Sequence, residues 1–174
     1  REPGEVLSTE LGDCKDKFRL LASLAESVGL TVEPVLIYAS AKRTFVEAAP
    51  SPLQFDHVIA RARLGANEIW MDPTAELVPM GSLPRSSRGR PGVALVQTGK
   101  KSGKNGGGAV ATALLTTPAS LPEPPSMTAE ITGSIAASGL LRARVRWTFS
   151  GDEDLFRALW KYGDEKLRRA ALDN

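Results

Sequence analysis

Residues 55–72 read Phe-Asp-His-Val-Ile-Ala-Arg-Ala-Arg-Leu-Gly-Ala-Asn-Glu-Ile-Trp-Met-Asp. Two extended runs, Phe55–Leu64 and Glu68–Asp72, flank Gly65-Ala66, a pair suited to a tight hairpin turn. With a two-residue loop Leu64 pairs with Asn67, and Asp72 falls opposite Ile59. Side chains alternate between the two faces of a strand. His57, in step with Ile59, then shares a face with Asp72 as a diagonal neighbour, about 7–8 Å away between Cα atoms. A three-residue loop would put the two on opposite faces. The pairing therefore requires an even-length loop, or a bulge that restores parity. Trp70 has the same parity as Asp72, and either walls a substrate site beside it or packs in the core. Taken singly, His57 reads as a strand-end histidine with ordinary hydrogen bonds. Asp72, before Pro73-Thr74, reads singly as a turn aspartate capping its own backbone.

Upstream of the hairpin lies a helix signal. Phe18, Leu21, Leu24, Ala25 and Val28 recur at three- and four-residue steps, with Leu20 widening the stripe. Asp13 and Asp16 stand as N-cap and third helical residue, a capping box with an acid in both positions. Gly29 suits the left-handed residue that ends a helix. With Asp13 as N-cap, Cys14 is the first helical residue, beside unpaired N–H groups and the positive end of the helix dipole. Such placement favours a thiolate. Lys15 and Lys17 reinforce it, while Asp13 and Asp16 oppose it. A lone cysteine is equally a small buried hydrophobe, and position alone leaves nucleophile and bystander both open. Cys14, His57 and Asp72 together would supply a nucleophile, a base and an orienting carboxylate.

Composition narrows the function classes. The chain has 174 residues, 42% apolar and 24% charged, the usage of an ordinary globular domain. Its net charge of +2 is too small to imply a nucleic-acid or anionic-membrane surface. No apolar run is long enough for a membrane span. One cysteine excludes an internal disulfide and a cysteine-based zinc site, and one histidine leaves little for a histidine cluster. The sequence opens on Arg1 and shows no signal peptide. We read it as a piece of a longer chain whose upstream part would hold any targeting signal.

Around these elements, Val32–Ala39, Val93–Val96, Val110–Leu115, Met127–Ala136 and Leu140–Phe149 read as strands, and Asp152–Leu172 as a helix broken or kinked at Gly163. Phe156 and Trp160 read as packing residues. Residues 98–108, Thr-Gly-Lys-Lys-Ser-Gly-Lys-Asn-Gly-Gly-Gly, lack the glycine and lysine order of a phosphate loop and read as a flexible connector. The prolines at 118, 122, 124 and 125 mark an extended connector. Arg142, Arg144 and Arg146 alternate with apolar neighbours, the period of a solvated face opposite a buried one rather than of a polyanion site. Arg85, Arg88 and Arg90 read as a solvated loop.

In their order, these blocks resemble a known family. Gly12-Asp13-Cys14-Lys15-Asp16-Lys17-Phe18, with Leu20-Leu21, Ala25 and Gly29-Leu30, is similar to the nucleophile helix of bacterial transglutaminase-like proteins, in the branch that carries an N-terminal domain of unknown function. Phe55-Asp56-His57-Val58-Ile59 resembles its histidine strand, and Trp70-Met71-Asp72-Pro73-Thr74 its aspartate strand. Leu83-Pro84 and Gly89-Arg90-Pro91 resemble the segment that leads to the next strand. The likeness covers about residues 5–97, and more weakly 127–160.

The resemblance implies an α+β fold with a papain-like, transglutaminase-like core over residues 1–97. A Gly/Pro-rich linker with a short strand would follow over 98–126, then a β-hairpin and C-terminal helix over 127–174, opening a further β-domain. It implies thiol-dependent acyl transfer at peptide or other amide bonds, with Cys14 as nucleophile, His57 as acid and base, and Asp72 as orienter. It implies a peptide or protein substrate, no cofactor or metal, no nucleic acid, and an exported or periplasmic parent chain. The Cys14 N–H is one expected oxyanion donor; the second comes from upstream in the family. The alternatives are a non-catalytic module that binds peptides or an envelope partner, and a fragment inactive for lack of its upstream half.

Overall fold

The computed structural model describes residues 1–40, 45–48, 51–98, 110–120, 124, 126–151, 158, 160–166 and 168. It divides into two compact units, Arg1–Ser120 and Leu121–Asn174. Both are built from antiparallel strands, and with the helices they make a mixed α+β chain.

The first unit runs α1 (Pro3–Thr9), α2 (Cys14–Ser27), β1 (Val32–Ile37), β2 (His57–Leu64), β3 (Asn67–Met71), β4 (Pro91–Gln97) and β5 (Val110–Thr116). Its five strands form one sheet in the order β3-β2-β1-β4-β5. The hairpin register is that of a two-residue loop, with Leu64 opposite Asn67 and Ala60 opposite Met71. Gly65 takes φ 63°, which glycine tolerates at the first position of such a turn. β5, expected within the connector that follows the core, pairs with β4 from Pro91↔Thr116 to Gln97↔Val110 and forms the far edge of this sheet.

One face of the sheet carries the main core. Val35, Ile37, Ile59, Trp70 and Ala94 are buried there, with Leu83 folded onto them from the segment after β3. At roughly 1.5–3 kcal/mol for each fully buried large apolar side chain, this cluster is the main adhesive of the unit. Gly92, opposite Ile37, permits the close approach of β4 to β1: a Cβ there would stand 2.7 Å from the Leu36 carbonyl oxygen. Arg61 lies 5% exposed on the same strand face. Its guanidinium meets Glu33 at 2.6 and 3.0 Å and Glu68 at 3.1 Å, and sits 5.6 Å from the centre of the Trp70 ring.

The alternate residues Val58, Ala60 and Ala62 are buried on the opposite side of β2, and α2 packs against β1 and β2. The apolar stripe of α2 is narrower than its sequence suggests. Ala25 is buried and Phe18, Leu20 and Leu21 are half-buried, whereas Leu24 and Val28 are 53% and 71% exposed. Those two lie one row round from Phe18 and Ala25 on the helical wheel. Gly29 ends the helix as expected, at φ 77°. Its N–H donates to Glu26 O and that of Leu30 to Ala25 O, the two bonds of a Schellman motif. α1 has no counterpart in the sequence reading: seven residues with Pro3 at the start and only Val6 buried are too short to show a period.

In the second unit β6 (Ser126–Ile135) pairs with β7 (Leu141–Ser150) from Ser126↔Ser150 to Ile135↔Leu141. Arg142, Arg144 and Arg146 face Ser134, Thr132 and Glu130 on one side. The opposite side, with Ile131, Val145 and Trp147, is exposed by 68%, 46% and 45%. The alternation holds, but among the described residues the side expected to be buried is exposed. Further on, residues 160–162 and 165–166 are helical. Residues 158 and 168 are helical too, whereas 152–157, 159, 167 and 169–172 of the expected helix, with Phe156, and the Gly-rich stretch beyond Thr98 lie outside the described residues.

Candidate active site

β2 and β3 bring two ionisable side chains together. His57 opens β2, and Asp72 follows directly on β3. The two-residue loop gives them the same parity, and their side chains lean together until His57 Nε2 stands 2.8 Å from Asp72 Oδ2. Asp72 also begins a turn: its carbonyl accepts from Ala75 N–H at 3.0 Å. Its Oδ1 accepts from the Thr74 N–H at 3.0 Å and the Thr74 hydroxyl at 2.6 Å. The pairing and the turn-capping role, alternatives in the sequence, coexist because the carboxylate has two oxygens.

The Asp72 side chain is 2% exposed and that of His57 18%. Burial alone would raise the Asp72 carboxyl. Hydrogen bonds from His57 and Thr74, with the charge of the imidazolium, outweigh it and hold Asp72 below the usual carboxylate value. The hydrogen bond that the ring donates to Asp72 is the largest influence on His57. Against the opposing effect of burial, it pushes the imidazole up to about 9, helped by the Asp72 charge and by Cys14.

The third candidate, Cys14, lies at the start of α2. Asp13 caps the helix by accepting the N–H groups of Lys15 and Asp16 at 2.9 and 3.1 Å, and Asp16 returns the bond to the Asp13 N–H at 3.3 Å. The Asp16 N–H and the Lys15 ammonium hold the Asp13 carboxyl below its ordinary value. Gly12 makes room for this cap: a Cβ there would stand 2.9 Å from Asp16 Cβ and 3.2 Å from a Val6 methyl. Cys14 is the first residue of α2, half-buried and free of any disulfide. Helical spacing places it on the row of Phe18, Leu21 and Ala25, the row that packs against the sheet. It bears on His57 by helping to raise the imidazole. Because Nε2 is committed to Asp72, Nδ1 is the ring nitrogen that remains for the thiol.

An open cleft of about 410 Å³ lies over the pair, lined by Asp56, His57, Asp72 and Thr74 together with Ala39, Ala75, Pro84 and Ser86. Asp56, in that lining, accepts the N–H groups of Ala39 and Ser40 at 2.7 and 3.1 Å. Trp70 is 7% exposed and packed in the core, so its place is the packing alternative of the sequence reading. Ser87 was not among the sequence candidates. Its hydroxyl donates to Asp72 Oδ2 at 3.2 Å, and no local pattern announces a contact between residues fifteen apart across an irregular segment. Thr74 carried a signal, since Asp-Pro-Thr favours a turn closed by the aspartate side chain.

Among the described residues no three His, Cys, Asp or Glu side chains converge as metal ligands, and no helix is long and apolar enough to cross a membrane. Compared with known protein families, with curated proteins and with solved structures, the chain finds no match.

Proposed function

We propose that this chain performs thiol-dependent acyl transfer on a peptide or other amide, on a papain-like, transglutaminase-like core. The observation that carries the reading is the 2.8 Å contact of His57 with the buried Asp72, beside Cys14 at the capped start of α2. One imidazole nitrogen is held at 2.8 Å by a buried carboxylate, and the thiol at the capped end of α2 neighbours the same ring. A thiol, an imidazole and a carboxylate of this kind support the reading of a nucleophile, a base and an orienting group.

In the reacting pair the Cys14 thiol proton already sits on the raised imidazole of His57, and the sulfur attacks the acyl carbon. The amide C–N bond then breaks, the departing nitrogen takes the proton from the imidazolium, and a thioester remains on Cys14. Water or an amine next attacks the thioester carbon and gives its proton to His57. The C–S bond breaks and the sulfur leaves as thiolate beside the imidazolium, which restores the starting pair. Asp72 stays ionised throughout and stabilises the imidazolium. The Cys14 N–H, at the start of α2, is suited to donate to the oxyanion, a contact worth about 3–4 kcal/mol of barrier where such donors have been removed.

The test uses dimethylated casein with a fluorescent primary amine. Incorporation of the amine reports transfer, and new chain ends report hydrolysis. The expected result is that Cys14→Ala abolishes whichever reaction the native protein shows. Equal activity in Cys14→Ala would refute the mechanism.

A further inference from the structure

We infer that Ser87, held in place by Thr117, is a positioning residue that shares one oxygen of Asp72 with His57 and thereby limits how tightly Asp72 grips the imidazole. The inference rests on the acyl-transfer reading above.

The division of the Asp72 carboxylate carries it. Oδ1 takes both donors of Thr74, at 2.6 and 3.0 Å, and these fix the orientation of the group. Oδ2 takes His57 Nε2 at 2.8 Å and the Ser87 hydroxyl at 3.2 Å. Ser87 is therefore not needed to aim the carboxylate. It acts on the charge of the one oxygen that His57 uses. A second donor on a carboxylate oxygen stabilises the anion and weakens its hold on the first.

The placement of Ser87 is built. The residue is 0% exposed, and a buried hydroxyl must find an acceptor. It ends a short 3₁₀ turn, Arg85–Ser87, with its N–H bonded to Pro84 O at 2.8 Å. Thr117, 2% exposed, follows β5 at the far edge of the sheet. Its hydroxyl donates to the Ser87 carbonyl at 2.7 Å and accepts the Arg90 N–H at 2.8 Å. Its own N–H donates to Arg90 O at 2.9 Å, and the Gly89 N–H donates to Pro118 O at 3.2 Å. Four bonds thus stitch residues 87–90 to 117–118. The strand most distant from β3 in the sheet fixes a hydroxyl on the acid that follows β3.

The consequence concerns proton transfer. His57 must release its proton to a leaving nitrogen and accept one from the incoming nucleophile. An imidazolium gripped too firmly releases it slowly. Among the described residues, the titratable groups about the ring are Asp72, Cys14 and, lining the same cleft, Asp56, whose carboxylate accepts the Ala39 and Ser40 N–H groups.

His57 is the single histidine of the chain, so its ring resonances are unambiguous in an NMR titration. The native protein, Ser87→Ala and Ser87→Cys are titrated side by side. The expected result is a midpoint near 9 in the native protein, higher by about half a unit to one unit in Ser87→Ala, with Ser87→Cys between them. A midpoint in Ser87→Ala at or below the native one overturns the inference. Should Ser87→Ala not fold, Ser87→Cys decides alone: an upward shift supports the inference, and no shift overturns it. A native midpoint near 6.5 would instead remove the Asp72–His57 pair, and with it the reading on which the inference rests.

Discussion

His57 Nε2 and Asp72 Oδ2 stand 2.8 Å apart across fifteen residues because a two-residue turn at Gly65-Ala66 sets both side chains on one face of β2 and β3. This contact raises the imidazole to about 9. Asp72→Asn keeps the shape and removes the charge. The expected outcome is a His57 midpoint that falls by about two units, to the ordinary histidine range, in an NMR titration.

The same pair makes stability depend on pH. His57 has a folded-state value raised above 6.5 to about 9, so its contribution is complete below 6.5 and is lost as pH rises through 9. Asp72 is shifted down, so its share is present above the ordinary carboxylate value and is lost in acid. Urea unfolding is expected to show a loss of about 2–3 kcal/mol between about pH 6 and pH 10 that is absent in His57→Ala.

Arg61 holds a different kind of pair. Its side chain is 7% exposed and bonds to Glu33, whose own side chain is 13% exposed. Removing the cation leaves a nearly buried carboxylate with its principal partner gone. Arg61→Ala is expected to cost about 3–5 kcal/mol in urea unfolding. Arg61→Ala together with Glu33→Ala is expected to cost less than Arg61→Ala alone.

Gly92 tests the packing of β4 on β1. A Cβ at 2.7 Å from a backbone oxygen and 2.9 Å from Ile37 Cγ2 cannot be absorbed by rotating a side chain. Gly92→Ala is expected to lower stability by about 1–3 kcal/mol or more, read from the urea midpoint. Gly29→Asn is the contrasting case: nothing lies within 4 Å of that position and asparagine tolerates φ 77°, so the change is expected to be small.

What the sequence made legible is what obeys a period or a cap. Alternation and a two-residue loop predict the His57–Asp72 pairing, and the observed register from Leu64↔Asn67 to Ala60↔Met71 has that form. Asp13, Asp16 and Gly29 mark both ends of α2 within one residue. The strands before and after the connectors were readable as apolar runs, but the pairing of β5 with β4 was not, because partner choice depends on a chain path through segments with no period. Ser87 and Thr117 were invisible for the same reason: each acts through an irregular loop whose course is set by tertiary contacts. The outward turn of Leu24 and Val28 shows the limit of an apolar count, since period tells which residues share a row and not which row meets the sheet.

The central claim is that Cys14 and His57 act as one unit, and the most direct measurement is the rate at which iodoacetamide alkylates Cys14 at neutral pH. Cys14 is the single cysteine, so intact mass reports the reaction without ambiguity. The native protein is compared with His57→Ala and Asp72→Asn, each first shown to be folded. A rate lower by about tenfold or more is expected in His57→Ala, with a smaller fall in Asp72→Asn. Equal rates in all three proteins would contradict it.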